Sequence, residues 1–211
     1  MVKTVFDDDK IILSSVGLGL FNIVQGAGPV KSWMSSIGSS LVFFDERTYL
    51  AGNVDQIELP AVEEIVSFVT RAQEAAKFSS EVVVTAFSLF SRLVKTEQGK
   101  KVGPCTWKLA FFMCLLLAQK LCDDIPFDNA SFATLWRAST RVSSSENPAK
   151  RLRTFKIKVT DVNKMESVLL NIFEFRVHVT QHTFTEVFFN LRTDLLKSEY
   201  LKRGDDALLV I

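Results

Sequence analysis

The stretch from Leu109 to Ala118 constrains the fold more than any other part of this sequence. It holds ten apolar residues in succession, between Lys108 and the polar pair Gln119 and Lys120. A helix that is apolar on every side must be enclosed by other helices or by lipid, and a membrane span needs roughly 18 apolar residues. We therefore predict a central helix enclosed by protein, with Lys120 emerging at its C-terminal end.

The composition indicates one intracellular domain with additional segments at its ends. The chain has 211 residues, of which 47% are hydrophobic and 18 are Phe, so it can build a large core. Its formal net charge of +1 gives no general attraction to nucleic acid or to a membrane surface. The three cysteines lack C-x-x-C spacing, which predicts buried thiols in a reducing compartment. The acidic start lacks the cationic head of a signal peptide, so we expect a cytoplasmic or nuclear protein without a transmembrane segment.

From Pro60 onward, apolar residues recur at helical spacing and predict an all-α domain. Pro60 with two following glutamates marks the first helix, and Ser79 or Ser80 caps the second. The central helix comes next, and the pair Thr160–Asp161 caps a later one. The last predicted helix carries its apolar side chains at Phe184, Val187, Phe188, Leu191 and Leu195.

Residues 1–59 are predicted to form an N-terminal extension that is partly irregular. Six of the nine glycines fall in residues 1–52, together with scattered serines. One helix, 30–43, is expected within the extension, because apolar residues recur at helical spacing behind Pro29. Two interpretations of this helix stay open: packing on the domain surface, or binding of a partner or a membrane. Residues 198–211 are expected to form a C-terminal tail.

Residues 137–158 form a basic insertion between two predicted helices, with seven Lys or Arg against one Glu. A basic segment can follow phosphates. However, Phe155 is its single aromatic residue, so stacking on bases has little support. We do not expect nucleic-acid binding here. An adaptor that binds nucleic acid or another partner through this insertion stays an alternative function, and the serines 143–145 stay candidates for phosphorylation.

Three motifs in this order and near this spacing resemble the cyclin box. Residues 118–124, Ala-Gln-Lys-Leu-Cys-Asp-Asp, resemble the A-S-K-x-x-[DE]-[DE] turn after the third helix of that box. Residues 161–166 include a Met-Glu pair like the one at the start of its fifth helix. Residues 175–179, followed by 187–192, resemble the F-x-[IV]-x-V … Y-Y-F-D-L-R run of P-type (U-type) cyclins and cyclin Y. The resemblance covers about residues 60–197 and implies a single five-helix cyclin box with a C-terminal helix.

The resemblance implies a regulatory subunit that binds and activates a cyclin-dependent kinase. Such a subunit is not an enzyme and needs no cofactor. Apart from its complex with the kinase, we expect it to be a monomer. In the family, an apolar groove between the third and fifth helices of the box receives the αC helix of the kinase. The matching positions here are Lys120 and Glu166 at the rims of the groove, and Leu121, Leu170, Phe175 and Val177 in its floor.

The sequence contains no motif that points clearly to an enzyme or a metal site. Asp123 and Asp124 are adjacent in sequence, so their side chains diverge and do not converge on one substrate. His178 and His182 have the i, i+4 spacing of helical zinc sites. The valines around His178 favour an extended segment, in which that spacing loses its meaning.

Overall fold

The computed structural model of this protein describes residues 5–26, 39–50, 56–136, 138–143 and 151–203, which form seven α-helices and three short strands. The helices are α1 (Val5–Gly26), α2 (Val62–Ala76), α3 (Ser80–Leu93), α4 (Trp107–Cys122), α5 (Asn129–Thr134), α6 (Val159–Ile172) and α7 (Gln181–Arg203). The strands are β1 (Gln56–Ile57), β2 (Ser139–Ser143) and β3 (Arg151–Thr154). The prediction of an all-α fold is confirmed, with a small sheet added to it.

Helix α4 lies at the centre of the fold, as its apolar sequence predicts. Every residue from Trp107 to Gln119 is buried, and α4 packs against α3 and α6. The rings of Phe90 on α3 and Phe111 on α4 meet nearly perpendicularly at 5.9 Å, an arrangement that aromatic pairs favour. Other helices therefore enclose α4, as predicted. Lys120 is the first exposed residue after the buried run.

The ends of the surrounding helices follow local capping chemistry. Ser79 precedes α3 and accepts a hydrogen bond from the backbone N–H of Val82 at 3.3 Å, as predicted for a capping serine. Helix α6 begins at Val159, slightly earlier than predicted. Asp161 caps the first turn of α6, because its carboxylate accepts a hydrogen bond from the backbone N–H of Lys158 at 2.8 Å.

The prediction of an irregular N-terminal extension is wrong for α1, which forms a helix of 22 residues. It packs against α2, α3 and α7. Two glycines that we interpreted as signs of irregularity lie inside this helix and allow close packing. A Cβ at Gly17 would overlap Val66, and one at Gly19 would lie 2.7 Å from the ring of Phe87. These glycines therefore allow α1 to approach the domain closely.

The predicted helix 30–43 lies mostly outside the described residues. Its described end, Ser39–Phe44, is a 3-10 helix that contacts α4 and α6 and buries Leu41 and Phe44. At the other terminus, α7 continues to Arg203, so the predicted tail is helical over residues 198–203. Residues 204–211 are outside the described part of the chain.

The basic insertion is not a simple loop, because β2 and β3 pair as an antiparallel hairpin and β1 pairs with the other edge of β2. A buried polar cluster fixes this hairpin to the core. Lys108 of α4 donates to the Ser139 carbonyl at 3.0 Å and to Thr140 Oγ1 at 3.1 Å, and its ammonium lies 3.4 Å from the Glu46 carboxylate. Charge patterning did not reveal this hairpin, since its strands lack the apolar alternation that usually marks a strand.

Candidate functional site

The predicted rim residues, Lys120 and Glu166, are in contact. Lys120 lies in the last turn of α4, and its Nζ is 2.5 Å from Oε1 of Glu166 on α6. The two side chains are 32% and 15% exposed. A cation at a helix C-terminus is favoured by the helix dipole, and a long Lys stem can cover apolar surface while its ammonium reaches water. The result is an ion pair at the surface between two packed helices.

Asn129, the first residue of α5, completes this ion pair and was missed in the sequence analysis. Its Oδ1 accepts from Lys120 Nζ at 2.8 Å, and its Nδ2 donates to Glu166 Oε2 at 2.7 Å. Nδ2 also donates to Oδ1 of Asn163 on α6 at 2.7 Å. The one available sequence signal was Asp128, which caps α5 by accepting from the Ser131 N–H at 2.8 Å. That signal locates the start of α5 but not the direction of the next side chain.

The four predicted apolar residues all keep some solvent exposure, but not as a uniform groove floor. Leu121 is 44% exposed and Phe175 is 68% exposed, so both protrude from the surface. Leu170 and Val177 are half-buried and pack against the hydrophobic core. Leu121 directly follows Lys120 on α4, and Leu170 lies one helical turn after Glu166 on α6. Phe175 and Val177 follow the end of α6, more than two helical turns beyond Glu166 along the chain.

The turn after α6 holds Phe175 in an uncommon backbone conformation. Glu174 and Phe175 have φ of 52° and 60°, in the left-handed region, which non-glycine residues adopt at a cost of about 1–3 kcal/mol each. The turn is fixed by two backbone hydrogen bonds, from the Phe175 N–H to the Leu170 carbonyl at 2.8 Å and from the Arg176 N–H to the Phe173 carbonyl at 2.9 Å. The strained turn directs a large aromatic side chain into solvent.

Arg92 of α3 anchors the segment that contains Val177. Its guanidinium donates to the carbonyl of Arg176 at 2.5 Å and to that of His178 at 3.3 Å, and it lies 4.6 Å from the centre of the Phe173 ring. Partial burial lowers the pKa of Arg92. The extended segment after α6 is thus attached to the domain on both sides of Val177.

Among the described residues before Pro60, Phe43 contacts α6 on a different side from Glu166. The ring of Phe43 contacts α6 through Lys164, whose Nζ lies 5.6 Å from the ring centre. Residues two apart on a helix point about 200° away from each other, so Lys164 and Glu166 lie on different sides of α6. The ion pair keeps a solvent-facing edge, as the exposure of Lys120 shows.

The described part of the chain contains other side chains that can carry chemistry, among them histidines and cysteines. Within the described ranges, no group of three or more His, Cys, Asp or Glu side chains is placed to hold a metal ion. Burial raises the pKa of Cys105 to about 12 and raises that of Cys114 as well, so both thiols stay protonated. Cys122 is exposed, contrary to the expectation of buried thiols, and lies near Thr85. Searched over the same described ranges, the helices include none that is long and apolar enough to cross a membrane.

Comparisons with known proteins agree with the resemblance to the cyclin box. The family model described as the cyclin N-terminal domain matches residues 36–178, which is more than half of the chain. The chain is also similar to Cyclin-U1-1 of Arabidopsis thaliana, with 24% identity over 139 residues. That alignment covers 66% of this chain and 57% of the relative, so the chain spans little more than half of the relative's length. No solved structure matches.

Proposed function

This chain belongs to the cyclin family, and from that premise we propose that it is a regulatory subunit that binds and activates a cyclin-dependent kinase. The carrying observation is the Lys120–Glu166 ion pair at the surface between α4 and α6. Exposed Leu121 directly follows Lys120 on α4, and exposed Phe175 follows the end of α6. We call this surface, with Leu170 and Val177, the docking face.

The proposed mechanism needs no catalytic group from this chain. A protein kinase is active only when the Glu of its αC helix pairs with the Lys of its strand β3 and its activation loop is in place. The docking face would receive the αC helix against its apolar side chains. Lys120 and Glu166 would bind unpaired backbone carbonyls and amides next to that helix, since helix ends leave such groups free. The subunit favours the active kinase conformation because it binds that conformation more tightly.

The exposed apolar side chains can supply useful binding energy. Complete burial of a Leu or Phe side chain contributes about 1.5–3 kcal/mol. Because Leu121 and Phe175 are already partly buried in the free chain, their further burial would contribute about 2–3 kcal/mol together. This is enough to bias a kinase between two conformations that differ by a few kcal/mol.

The finer assignment is to the P-type (U-type) and cyclin-Y-like subgroup with a single box. It is supported by the similarity to Cyclin-U1-1 and by the motifs at residues 175–179 and 187–192. We further propose that the partner is bound inside the cell. The alternative function, an adaptor that uses the basic insertion, is less supported because Arg141 of that insertion already pairs with Glu64 at 2.9 Å.

Charge reversal at the rim tests the proposal. Each cyclin-dependent kinase of the source organism, produced without a cyclin, is mixed with the chain and assayed for binding and for phosphorylation of a test peptide. We expect Lys120→Glu and Glu166→Lys to abolish binding to the kinase that the wild type activates, because each places two like charges at the rim. The melting temperature should fall by only a few degrees, since a partly exposed surface pair contributes about 1 kcal/mol.

The matched controls are Lys77→Glu and Glu74→Lys, which reverse exposed charges near the end of α2. Both should bind and activate the kinase as the wild type does. Full kinase binding by both rim variants would refute the site, and a wild-type chain that binds no kinase of the set would refute the function. Binding that weakens steeply as salt rises would favour the phosphate-binding adaptor instead.

A further inference from the structure

Asn129 joins the two charged residues of the docking face, although it lies on a third helix. Its single side chain contacts Lys120 of α4 and both Glu166 and Asn163 of α6, with all three distances at 2.7 or 2.8 Å. We call Lys120, Asn129, Asn163 and Glu166 the quartet. Each of the three hydrogen bonds of Asn129 joins α5 to another helix, either α4 or α6. These hydrogen bonds therefore require that α4, α5 and α6 keep one specific arrangement at the docking face.

The primary amide of Asn129 matches the two charges that it contacts. An amide presents an acceptor oxygen on one side and two N–H donors on the other. The oxygen faces the ammonium of Lys120, and the two donors reach Glu166 and Asn163. A carboxylate in this place would repel Glu166, and an apolar side chain would leave both charged groups with one hydrogen bond fewer. Hydrogen bonds to ionised groups are the stronger class.

The quartet restrains the ion pair without consuming its capacity to bind a partner. Lys120 uses two of its three N–H donors, one on Glu166 and one on Asn129. Each oxygen of Glu166 accepts one hydrogen bond here and can accept another. A long lysine side chain otherwise loses much rotamer freedom on binding. Ordering it in the free chain removes that loss from the binding step.

We propose that Asn129 is a positioning residue of the docking face, which holds Lys120 and Glu166 in the geometry that the kinase binds. This inference rests on the proposed function and deepens it, since it adds a residue that does not itself contact the kinase. It makes two separate claims, one about the free chain and one about the complex, and each is measured independently.

The first experiment measures Lys120 in the free chain by limited acetylation and peptide mass spectrometry. Lys120 should react about fivefold more slowly than exposed Lys77, because its ammonium is held by two charge-assisted hydrogen bonds. In Asn129→Ala the difference should shrink to about twofold or less. Asn171→Ala is the matched control, since the Asn171 amide donates to the Ser167 carbonyl of its own helix. If wild-type Lys120 reacts as fast as Lys77, the inference is overturned whatever the kinase does.

The second experiment is a double-mutant cycle on kinase affinity, with Asn129→Ala, Glu166→Ala and the double variant. Asn129→Ala alone should weaken binding about tenfold, as expected for lost hydrogen bonds to charged groups. In the Glu166→Ala background, Asn129→Ala should lower kinase affinity by about threefold or less, because a positioning residue acts through the group that it positions. Asn171→Ala should bind normally, and the melting temperatures should not follow the affinities.

The two failures are distinguishable. If the wild type binds a kinase and Asn129→Ala binds it equally well, or if the two losses simply add, Asn129 is not a positioning residue while the proposed function stands. If the wild type binds no kinase, the proposed function fails and this inference fails with it. Normal slow acetylation of Lys120 in that case would leave Asn129 as a purely structural link between three helices, which also contradicts the proposal.

Discussion

The two ends of α4 each carry a lysine that pairs with a glutamate from a distant part of the chain. At the N-terminal end, Lys108 lies 3.4 Å from Glu46, and the glutamate side chain is fully buried. At the C-terminal end, Lys120 lies 2.5 Å from Glu166, and a third of the lysine side chain is exposed. The same two residue types therefore serve a buried cluster at one end and a solvent-facing rim at the other.

The buried end is a structural joint. Burial raises the pKa of Glu46, an effect that Lys108 and the hydroxyl of Thr140 oppose. One oxygen of the Glu46 carboxylate has no hydrogen-bond partner within the described part of the chain. A pair so enclosed gains little net stability from its charges, but removal of either partner is costly. The Lys120–Glu166 end is partly exposed, so we expect a smaller effect on stability there, and the ammonium of Lys120 can reach a partner. Burial, and not residue type, distinguishes the two roles.

The largest expected effect comes from removing each lysine in turn. Lys108→Met leaves Glu46 buried without its cation, so we expect a loss of about 3 kcal/mol of unfolding free energy. Lys120→Met, at the exposed end of the same helix, should cost less than about 1 kcal/mol. Urea denaturation followed by circular dichroism measures both. Equal losses would remove the distinction between the two ends.

A pair of phenylalanines two residues apart sharpens the contrast between core and docking face. Phe173 is 6% exposed and Phe175 is 68% exposed. Phe173→Ala should cost about 3 kcal/mol, as for other buried aromatic residues. Phe175→Asn should leave stability within about 0.5 kcal/mol of the wild type, because Asn tolerates the left-handed backbone, yet kinase activation should fall. A stability loss at Phe175 as large as that at Phe173 would show that Phe175 belongs to the core.

The smallest expected change is in how the melting temperature depends on pH. The pKa of Glu46 in the folded chain is above its ordinary value of 4.5. Between these two values the folded chain keeps a proton that the unfolded chain has released, so stability falls as pH rises through that window. Glu46→Gln cannot titrate, so the melting temperature of this variant should lack that decline. The check is a comparison of melting temperatures from pH 4.5 upward, and identical slopes for both proteins would contradict the raised pKa.

The parts of the fold that could be predicted are those fixed by local pattern. Continuous apolar sequence identified the burial of α4, and Ser79 marked the start of α3 through a cap that needs no distant partner. The placement of Lys120 and Glu166 at the rims of one groove was predicted only through the resemblance to a family, because no local rule brings α4 to α6, and their direct contact was not predicted. A kinase-binding role for the pair stays a prediction.

The parts that were missed depend on contacts between distant segments. Glycines in α1 suggested irregularity, whereas Gly17 and Gly19 are needed where Val66 and Phe87 approach the helix. The β2–β3 hairpin is stabilised by Lys108 from another element and not by its own apolar alternation. Asn129 acquires its role only when three helices converge, and a single asparagine in a sequence carries no sign of that.

The buried cluster has a practical consequence for the choice of fragment boundaries. A fragment that begins at Pro60, where the resemblance to the box begins, would lack both Glu46 and α1. The ammonium of Lys108 would then lose its counter-ion, and the α1-facing surfaces of α2, α3 and α7 would be exposed to water. We therefore expect the fragment that begins at Pro60 to aggregate when it is expressed alone. The residues before Pro60 belong to the same folding unit as the box.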